Sequence, residues 1–432
     1  MMELKESEFA PVDFISHMPD NVITQILDRL PLQDAIMTSI LSRNWRFKWT
    51  MLSQLLFDQR FVMCLFGAKC ESKFGRIISS LLMNVRGAIT KFVLYIEEER
   101  CYSVLDDEDI AHWILFLSRK GLKDLTLLKM HGPQLNLPTH MFSCSELKHL
   151  KLFYCHFDPP ASFHGLPNLL SLELGLVQFE SSTFGKFITQ CPVLEVLNMR
   201  YWRLFADILY FRHQRDPHEM TYMDIFSVGK VKLVDIAKLA NLKTLSLSLC
   251  HLDNMMIINY YSIVELTGLL GLLPKLQELD LDFARCKFTD DGAKKRPPTA
   301  LPYLKVLNLS TIALGNGIML SCAFDVIRSS PNLQTLKITA SDLDADRTPE
   351  IYPPDVDYNT VGLLQLQSVV FNYYEGSENE VWLIKYLLAC SPFLQKIVIS
   401  PCSIIMSDEK LKFARKLLKL HRASPIVDIV LV

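Results

Sequence analysis

The chain has 432 residues, half of them hydrophobic and 21% charged, with a formal net charge of −2. That is ample apolar material for a large core, and the near-neutral balance gives no support for a general nucleic-acid or membrane-surface binder. The opening Met1-Met2-Glu3-Leu4-Lys5-Glu6-Ser7-Glu8 lacks the apolar core of a secretory leader, and no stretch approaches the roughly 20 uninterrupted apolar residues that span a bilayer. The most apolar stretch, Ile263 to Leu273, contains Glu265 and ends at Pro274. Eleven cysteines, an odd number without any C-x-x-C spacing, point to reduced thiols and a cytoplasmic or nuclear compartment.

Residues 11–52 read as a small helical module. Val22, Ile23, Ile26, Leu27 and Leu30 fall at helical spacing, with Pro19 at the start and Pro31 forcing a stop. Asp34 to Ile40 reads as a second short helix with Ala35, Ile36 and Ile40 on one side. Ser42 can cap a third, with Trp45 and Trp49 four apart on one face. Three short helices enclose little core, so part of their apolar surface is expected to be covered by a partner. Met18-Pro19, Ile26-Leu27, Leu30-Pro31-Leu32, Asp34-Ala35 and Thr38-Ser39-Ile40-Leu41-Ser42-Arg43, followed by Trp45 and Trp49, resemble an F-box of the plant type. The resemblance implies docking on the Skp-type adaptor of a cullin-RING ubiquitin ligase through Met18, Pro19, Ile23, Ile26, Leu27, Leu30, Pro31 and Leu32. Met18 stands where this family usually has Leu, and Asn44 where a basic residue is common; Met is an adaptable, volume-conserving replacement.

Residues 53–88 read as a helical linker or cap, with Phe74, Ile77, Ile78, Leu81 and Leu82 forming an apolar stripe. A polar run from Glu97 to Asp109 reads as a solvated loop and helix start. Ile110, Trp113, Ile114 and Leu117 then mark a helix that stops near Gly121.

From Ile89 to about residue 360 one pattern dominates. Leu147, Leu150 and Leu152 are spaced L-x-x-L-x-L, and Cys155 and Phe157 complete the unit. The same spacing recurs at Leu122/Leu125/Leu127, Leu169/Leu172/Leu174, Leu194/Leu197/Met199, Leu242/Leu245/Leu247 and Leu276/Leu279/Leu281. It continues at Leu304/Leu307/Leu309, Leu333/Leu336/Ile338, Leu366/Val369/Phe371 and Leu394/Ile397/Ile399, with Ile89/Phe92/Leu94 as an earlier copy. Most copies follow one another at about 22–34 residues, which resembles leucine-rich repeats. One unit cannot bury its apolar face alone, so the expected fold is α/β: a curved solenoid with a parallel sheet behind the N-terminal three-helix module. The repeat leucines should point inward and the residues between them should line the concave face.

That face is expected to carry an acidic patch at Glu278, Asp280 and Asp282. A second cluster, Arg200, Tyr201 and Trp202, reads either as an interface anchor or as a strand end packed under the following insertion. Cys155 and Cys250 occupy the turn position, where a structural role is expected. His213 and His218, Lys294 to Arg296 and Asp342 to Asp357 read as loops, none with a convincing metal-ligand spacing.

Residues 361–432 read as a strand and turn, a helix from Glu380 to Cys390, a strand from Leu394 to Ile399, a helix near Glu409 to Leu420 and a closing strand from Ile426 to Val432. Tyr386 to Pro392 and Leu417 to Pro425 resemble the FBD domain that ends many plant F-box proteins with leucine-rich repeats. A last strand would shield an otherwise open sheet edge.

No G-x-G-x-x-G, G-x-S-x-G, Walker loop or metal cluster is present in the sequence, so no catalytic residue, cofactor or metal site is assigned. Two functions fit. In one the chain is the substrate-recognition subunit of a ubiquitin ligase; in the other it is a repeat scaffold whose F-box does not dock. Some plant F-box solenoids hold a small anionic ligand, which requires converging cations. Here Lys151, Arg200, Lys337 and Lys396 lie several repeats apart, so a protein target is expected, with a basic segment against the acidic trio.

Overall fold

The computed structural model describes residues 18–67, 73–96, 107–129, 133–200, 230–253, 257–258, 260–284, 286–288, 299–314, 316–340, 364–374, 377–401 and 407–432. The chain forms two compact units, divided after His156.

The first unit opens with α1 (Asp20–Leu27) and α2 (Leu32–Met37). Each begins directly after a proline, whose fixed φ suits the entry and whose carbonyl accepts the first helical bonds: Pro19 from Val22 and Ile23, Pro31 from Asp34 and Ala35. The expected third helix around Trp45 and Trp49 is instead a set of turns with 3-10 segments at Thr38–Ile40 and Lys48–Met51. Phe47, at φ −121°, interrupts helical geometry. Then follow β1 (Gln54–Phe57), α3 (Gln59–Gly67), α4 (Phe74–Asn84), β2 (Lys91–Ile96), α5 (Asp107–Ser118), β3 (Asp124–Lys129), β4 (Leu135–Asn136), β5 (His149–Phe153) and β6 (Cys155–His156). Strands β1, β2, β3 and β5 pair in that order, all parallel. β1 lies inside the stretch expected to be helical. Its Leu55 and Phe57 are buried two apart, an alternation too short to register in the sequence.

The second unit holds β7 (Ser171–Gly175), α6 (Ser181–Thr189), β8 (Val196–Met199), α7 (Leu233–Ile236), β9 (Thr244–Ser248), β10 (Ile257–Ile258), α8 (Tyr260–Leu270), β11 (Glu278–Asp282) and β12 (Lys287–Phe288). It continues with β13 (Val306–Ile312), α9 (Gly317–Arg328), β14 (Thr335–Ala340), β15 (Ser368–Tyr374), α10 (Glu378–Cys390), β16 (Lys396–Pro401), α11 (Ser407–Leu418) and β17 (Asp428–Leu431). Its main sheet runs β7-β8-β9-β11-β13-β14-β15-β16-β17, every pair parallel.

Register follows the leucines. Leu197 pairs with Leu245, Leu245 with Leu279, Leu279 with Leu307 and Leu307 with Leu336; Val369, Ile397 and Ile429 extend the same row. Any slip by one residue would turn the whole row to the other face, so burial fixes the register. Leu172, Leu197, Leu245, Leu279, Leu307 and Leu336 are all fully buried. The return segments are closed by local devices. Asn316 caps α9 by accepting from the N–H groups of Ile318 and Met319, and Ser377 with Glu380 forms a capping box on α10. Phe324 on α9 meets Trp382 and Tyr386 on α10 edge-to-face, at ring separations of 5.3 and 4.6 Å.

At or near the ends of β5, β7, β13 and β15, residues Tyr154, Leu176, Thr311 and Tyr373 adopt φ of 57°, 50°, 56° and 58°. A left-handed residue without the freedom of glycine is costly, and here it recurs where the chain swings out of the sheet. At β13 and β15 it coincides with a register shift.

Candidate functional site

The N-terminal module divides its apolar residues between two surfaces. Ile23 and Leu27 on α1, Leu32 and Ala35 on α2 and Trp45 after them are buried and form its interior. The module is tied together by polar contacts as well. The Asp28 carboxylate accepts from the Ser53 N–H at 2.9 Å and the Ser53 hydroxyl at 2.6 Å, and Lys48 Nζ meets Asp20 Oδ1 at 2.5 Å. The outside carries Val22, Ile26, Leu30, Met37, Ile40, Leu41 and Phe47, with Ile40 75% and Leu41 66% exposed. Pro19 is exposed beside them, and Met18 and Pro31 are half-buried.

This separates the residues that the sequence grouped as one docking set. Pro19, Ile26 and Leu30 lie outside; Ile23, Leu27 and Leu32 turn inward. The wide stripe on α1 is two stripes, 22/26 and 23/27, each at the i,i+4 spacing of one helix face. Met37, Ile40, Leu41 and Phe47 were not expected on this surface. Met37 ends α2 and the other three lie in the turns after it. The sequence marks Ile40 only as sharing a helix side with Ala35 and Ile36, and Ile40 and Leu41 otherwise only through the resemblance of Thr38 to Arg43 to a known motif.

The strand face of the second unit is differently built from the expected one. Glu278 is exposed, and its Oε2 accepts from the Thr244 hydroxyl at 3.3 Å. Asp280 and Asp282 are buried. Arg200, one residue beyond β8, reaches across β9 and places Nη1 on Asp280 Oδ2, while its Nη2 donates to Ser310 Oγ on β13 at 2.5 Å. Asp282 Oδ2 accepts from Ser248 Oγ at 2.9 Å, and its Oδ1 accepts from Thr311 Oγ1 at 2.7 Å and from the Ala284 N–H at 3.1 Å. The acidic trio is therefore one exposed carboxylate and two internal ones whose charge is met by Arg200, hydroxyls and backbone. This is also why the strained Thr311 persists: its hydroxyl is bound to Asp282. Arg200 and the trio, expected as separate anchors, are joined. Tyr201, Trp202, His213, His218, Lys294 to Arg296 and Asp342 to Asp357 lie outside the described residues.

Cys155 is fully buried and its thiol lies 3.3 Å from the Phe153 carbonyl oxygen. Burial pushes its pKa up from 9.0 to about 12, with the backbone bond and Lys129 pulling weakly the other way. Such a thiol is protonated and inert. Among the described residues no group of three His, Cys, Asp or Glu could hold a metal ion, and no helix is long and apolar enough to cross a membrane.

The two surfaces and the parallel leucine-rich array define an F-box protein with leucine-rich repeats. Comparison with known proteins agrees. Residues 15–56 match the F-box domain, and residues 110–338 match the repeats described as "FBD-associated F-box protein At5g56370, LRR repeats". The chain is 31% identical to "F-box/FBD/LRR-repeat protein At1g13570" of Arabidopsis thaliana, covering 96% of this chain and 97% of that one. It is 25% identical to "F-box/FBD/LRR-repeat protein At5g56420" of the same plant, covering 90% and 92%. The chain belongs to the F-box/FBD/LRR-repeat family. F-box domains generally bind Skp-type adaptors and leucine-rich repeats bind protein targets, so the family points to a non-catalytic protein-interaction adaptor; no enzyme family is indicated.

Proposed function

We propose that this chain is the substrate-recognition subunit of an SCF-type cullin-RING ubiquitin ligase. The observation that carries the reading is the exposed apolar surface of the N-terminal module. Ile40, Leu41, Met37 and Phe47 join Pro19, Ile26 and Leu30 on a domain too small to hide them, which is the state of an interface awaiting its partner. The Skp-type adaptor is that partner in this reading, and through it the cullin-RING ligase. The repeat array then holds a protein target near the ubiquitin-charged machinery, and this chain supplies position rather than chemistry. Glu278, Lys337 and Lys396, exposed along the strand face, are available to such a target. The compartment that goes with this role is cytoplasmic or nuclear.

The test is co-expression of the full chain with a plant Skp-type adaptor and a cullin. A complex of all three on size exclusion supports the reading. A chain that elutes alone while the adaptor still binds a known F-box protein rejects it and leaves a repeat scaffold.

A further inference from the structure

A tetrapeptide pattern recurs just before the strands of the second unit: Pro274-Lys275-Leu276-Gln277, Pro302-Tyr303-Leu304-Lys305, Pro331-Asn332-Leu333-Gln334 and Pro392-Phe393-Leu394-Gln395. Leu364-Gln365-Leu366-Gln367 is a fifth copy without the proline. The central leucine is buried each time. In the four proline copies the proline and the residue after it are the central residues of a turn closed by the leucine N–H, as where Leu304 donates to the Leu301 carbonyl at 3.3 Å. The residue after the leucine leads into the strand, and the residues before and after the leucine are exposed in every copy.

Stacking converts this pattern into two columns along the rim where the strands begin. The inner column is held in register by the backbone. The Lys305 N–H donates to the Gln277 carbonyl, Gln334 to Lys305, Gln367 to Gln334 and Gln395 to Gln367, at 2.8–2.9 Å. Four of these five side chains are glutamines. The outer column carries Tyr303, Phe393 and Ile426, which are 57%, 54% and 68% exposed although large and apolar. Between the columns lies an open groove of about 830 Å³. Lys275 and Lys305 stand at one end, and among the described residues that line the groove none is a carboxylate. The exposed Asp428, whose N–H donates to the Gln395 carbonyl at 2.9 Å, follows at the opposite end of the inner column. The groove lies on the rim, apart from the strand face that holds Arg200 and Asp280.

We infer that this rim groove binds an extended peptide segment of the target, with acidic residues at the Lys275/Lys305 end and apolar or proline residues toward Phe393 and Ile426. The inference deepens the target-binding role proposed above and rests on it. Each glutamine offers both a donor and an acceptor, so a ladder of them can meet the N–H and C=O groups of a passing chain without regard to its sequence. Tyr303, Phe393 and Ile426 supply apolar seats and the two lysines select charge. The length fits as well. From the Gln277 repeat to the Ile426 repeat there are five strand spacings, about 24 Å, which an extended chain covers in about seven or eight residues. A nucleic acid is the poorer occupant, because two cations on a chain of net charge −2 neutralise little phosphate.

The probe is an array of synthetic nonapeptides of randomised sequence, read with the full chain in complex with its adaptor and followed by anisotropy on the selected peptides. Selected peptides should carry Asp or Glu together with proline or apolar residues. Tyr303→Ser/Phe393→Ser should weaken them at least about 10-fold, and Lys275→Glu/Lys305→Glu should reverse the preference to basic peptides. All four positions are exposed, and hydrogen exchange over β13 to β16 checks that the variants keep the fold. Selection of peptides without acidic residues, binding unchanged by both variants, no selection at all, or displacement of the peptides by a 20-nucleotide RNA overturns the inference. The ligase reading fails separately: a chain that does not bind the adaptor can still select peptides, and the same array is then read with the chain alone.

Discussion

Arg200 and Asp280 form a buried ion pair across an intervening strand, the cation beyond β8 and the carboxylate on β11, with their side chains only 11% and 6% exposed. A pair this far from water owes its stability to both members being present. Removing one leaves the other charge in a poorly solvating interior, at a cost of about 3–5 kcal/mol, whereas removing both with apolar replacements costs little.

Arg200→Met is therefore expected to lose about 3–5 kcal/mol, with faster exchange of the β8, β9 and β11 amides. Asp280→Leu added to it should recover most of that loss. Urea unfolding of Arg200→Met, Asp280→Leu, the double variant and the wild type gives the coupling. A single variant as stable as the wild type would show that the pair contributes nothing.

The leucine row makes a different prediction. Leu245 and Leu279 pair in register on β9 and β11 and are fully buried. Leu245→Ala should cost about 2–5 kcal/mol. Repeats couple chiefly to their neighbours, so protection should fall first in β8 and β11 and last in β16. Hydrogen exchange that changes at β9 alone, or uniformly through the unit, contradicts a stacked array.

The cysteines give a pH dependence. Burial holds the Cys155 pKa at about 12 and those of Cys144 and Cys191 at about 11, above the ordinary 9.0 of an unfolded chain. On raising the pH the unfolded chain loses these protons first, so it binds fewer protons than the folded one and stability falls. The contribution is complete below pH 9 and is lost progressively between 9 and 12. Cys155→Ala should flatten that decline. In the native protein iodoacetamide at pH 8 should modify the exposed Cys64 and spare Cys155.

Much of the fold is legible in the sequence because one rule repeats. The spacing of Leu245 and Leu247 or Leu279 and Leu281 identifies both the strand and its inner face, and the structure buries all four. What the spacing does not carry is the identity of partners across strands. Arg200 and Asp280 stand 80 residues apart, and only the stacking of β8, β9 and β11 brings them together. The same limit hid the rim groove, since Tyr303 and Phe393 become one surface only when their repeats stack. In the N-terminal module the apolar pattern of α1 was plain, but its division into inner Ile23/Leu27 and outer Val22/Ile26 depends on where α2 and Trp45 pack. Ile40 shares a helical spacing with Ala35 and Ile36, yet α2 ends at Met37 and Ile40 is exposed while Ala35 is buried; Leu41 carries no such period.

The outer surface of that module separates docking from folding. Leu27→Ala should destabilise the module by about 2–5 kcal/mol because Leu27 is interior. Pro19→Ala/Leu30→Ala should leave the fold intact and weaken adaptor binding by roughly 30-fold, or about 2 kcal/mol. Pull-down with the adaptor and thermal melting of the same samples distinguish the two outcomes.

The most direct measurement is calorimetric titration of the full chain with a Skp-type adaptor, repeated for Ile40→Asp/Leu41→Asp and for Met83→Asp, an exposed apolar residue on α4 outside the docking surface. The wild type and Met83→Asp should bind one adaptor with equal affinity, and Ile40→Asp/Leu41→Asp should bind at least about 100-fold more weakly while melting at the same temperature. Absence of binding by the wild type, or equal binding by all three, contradicts the assignment of this surface to the adaptor.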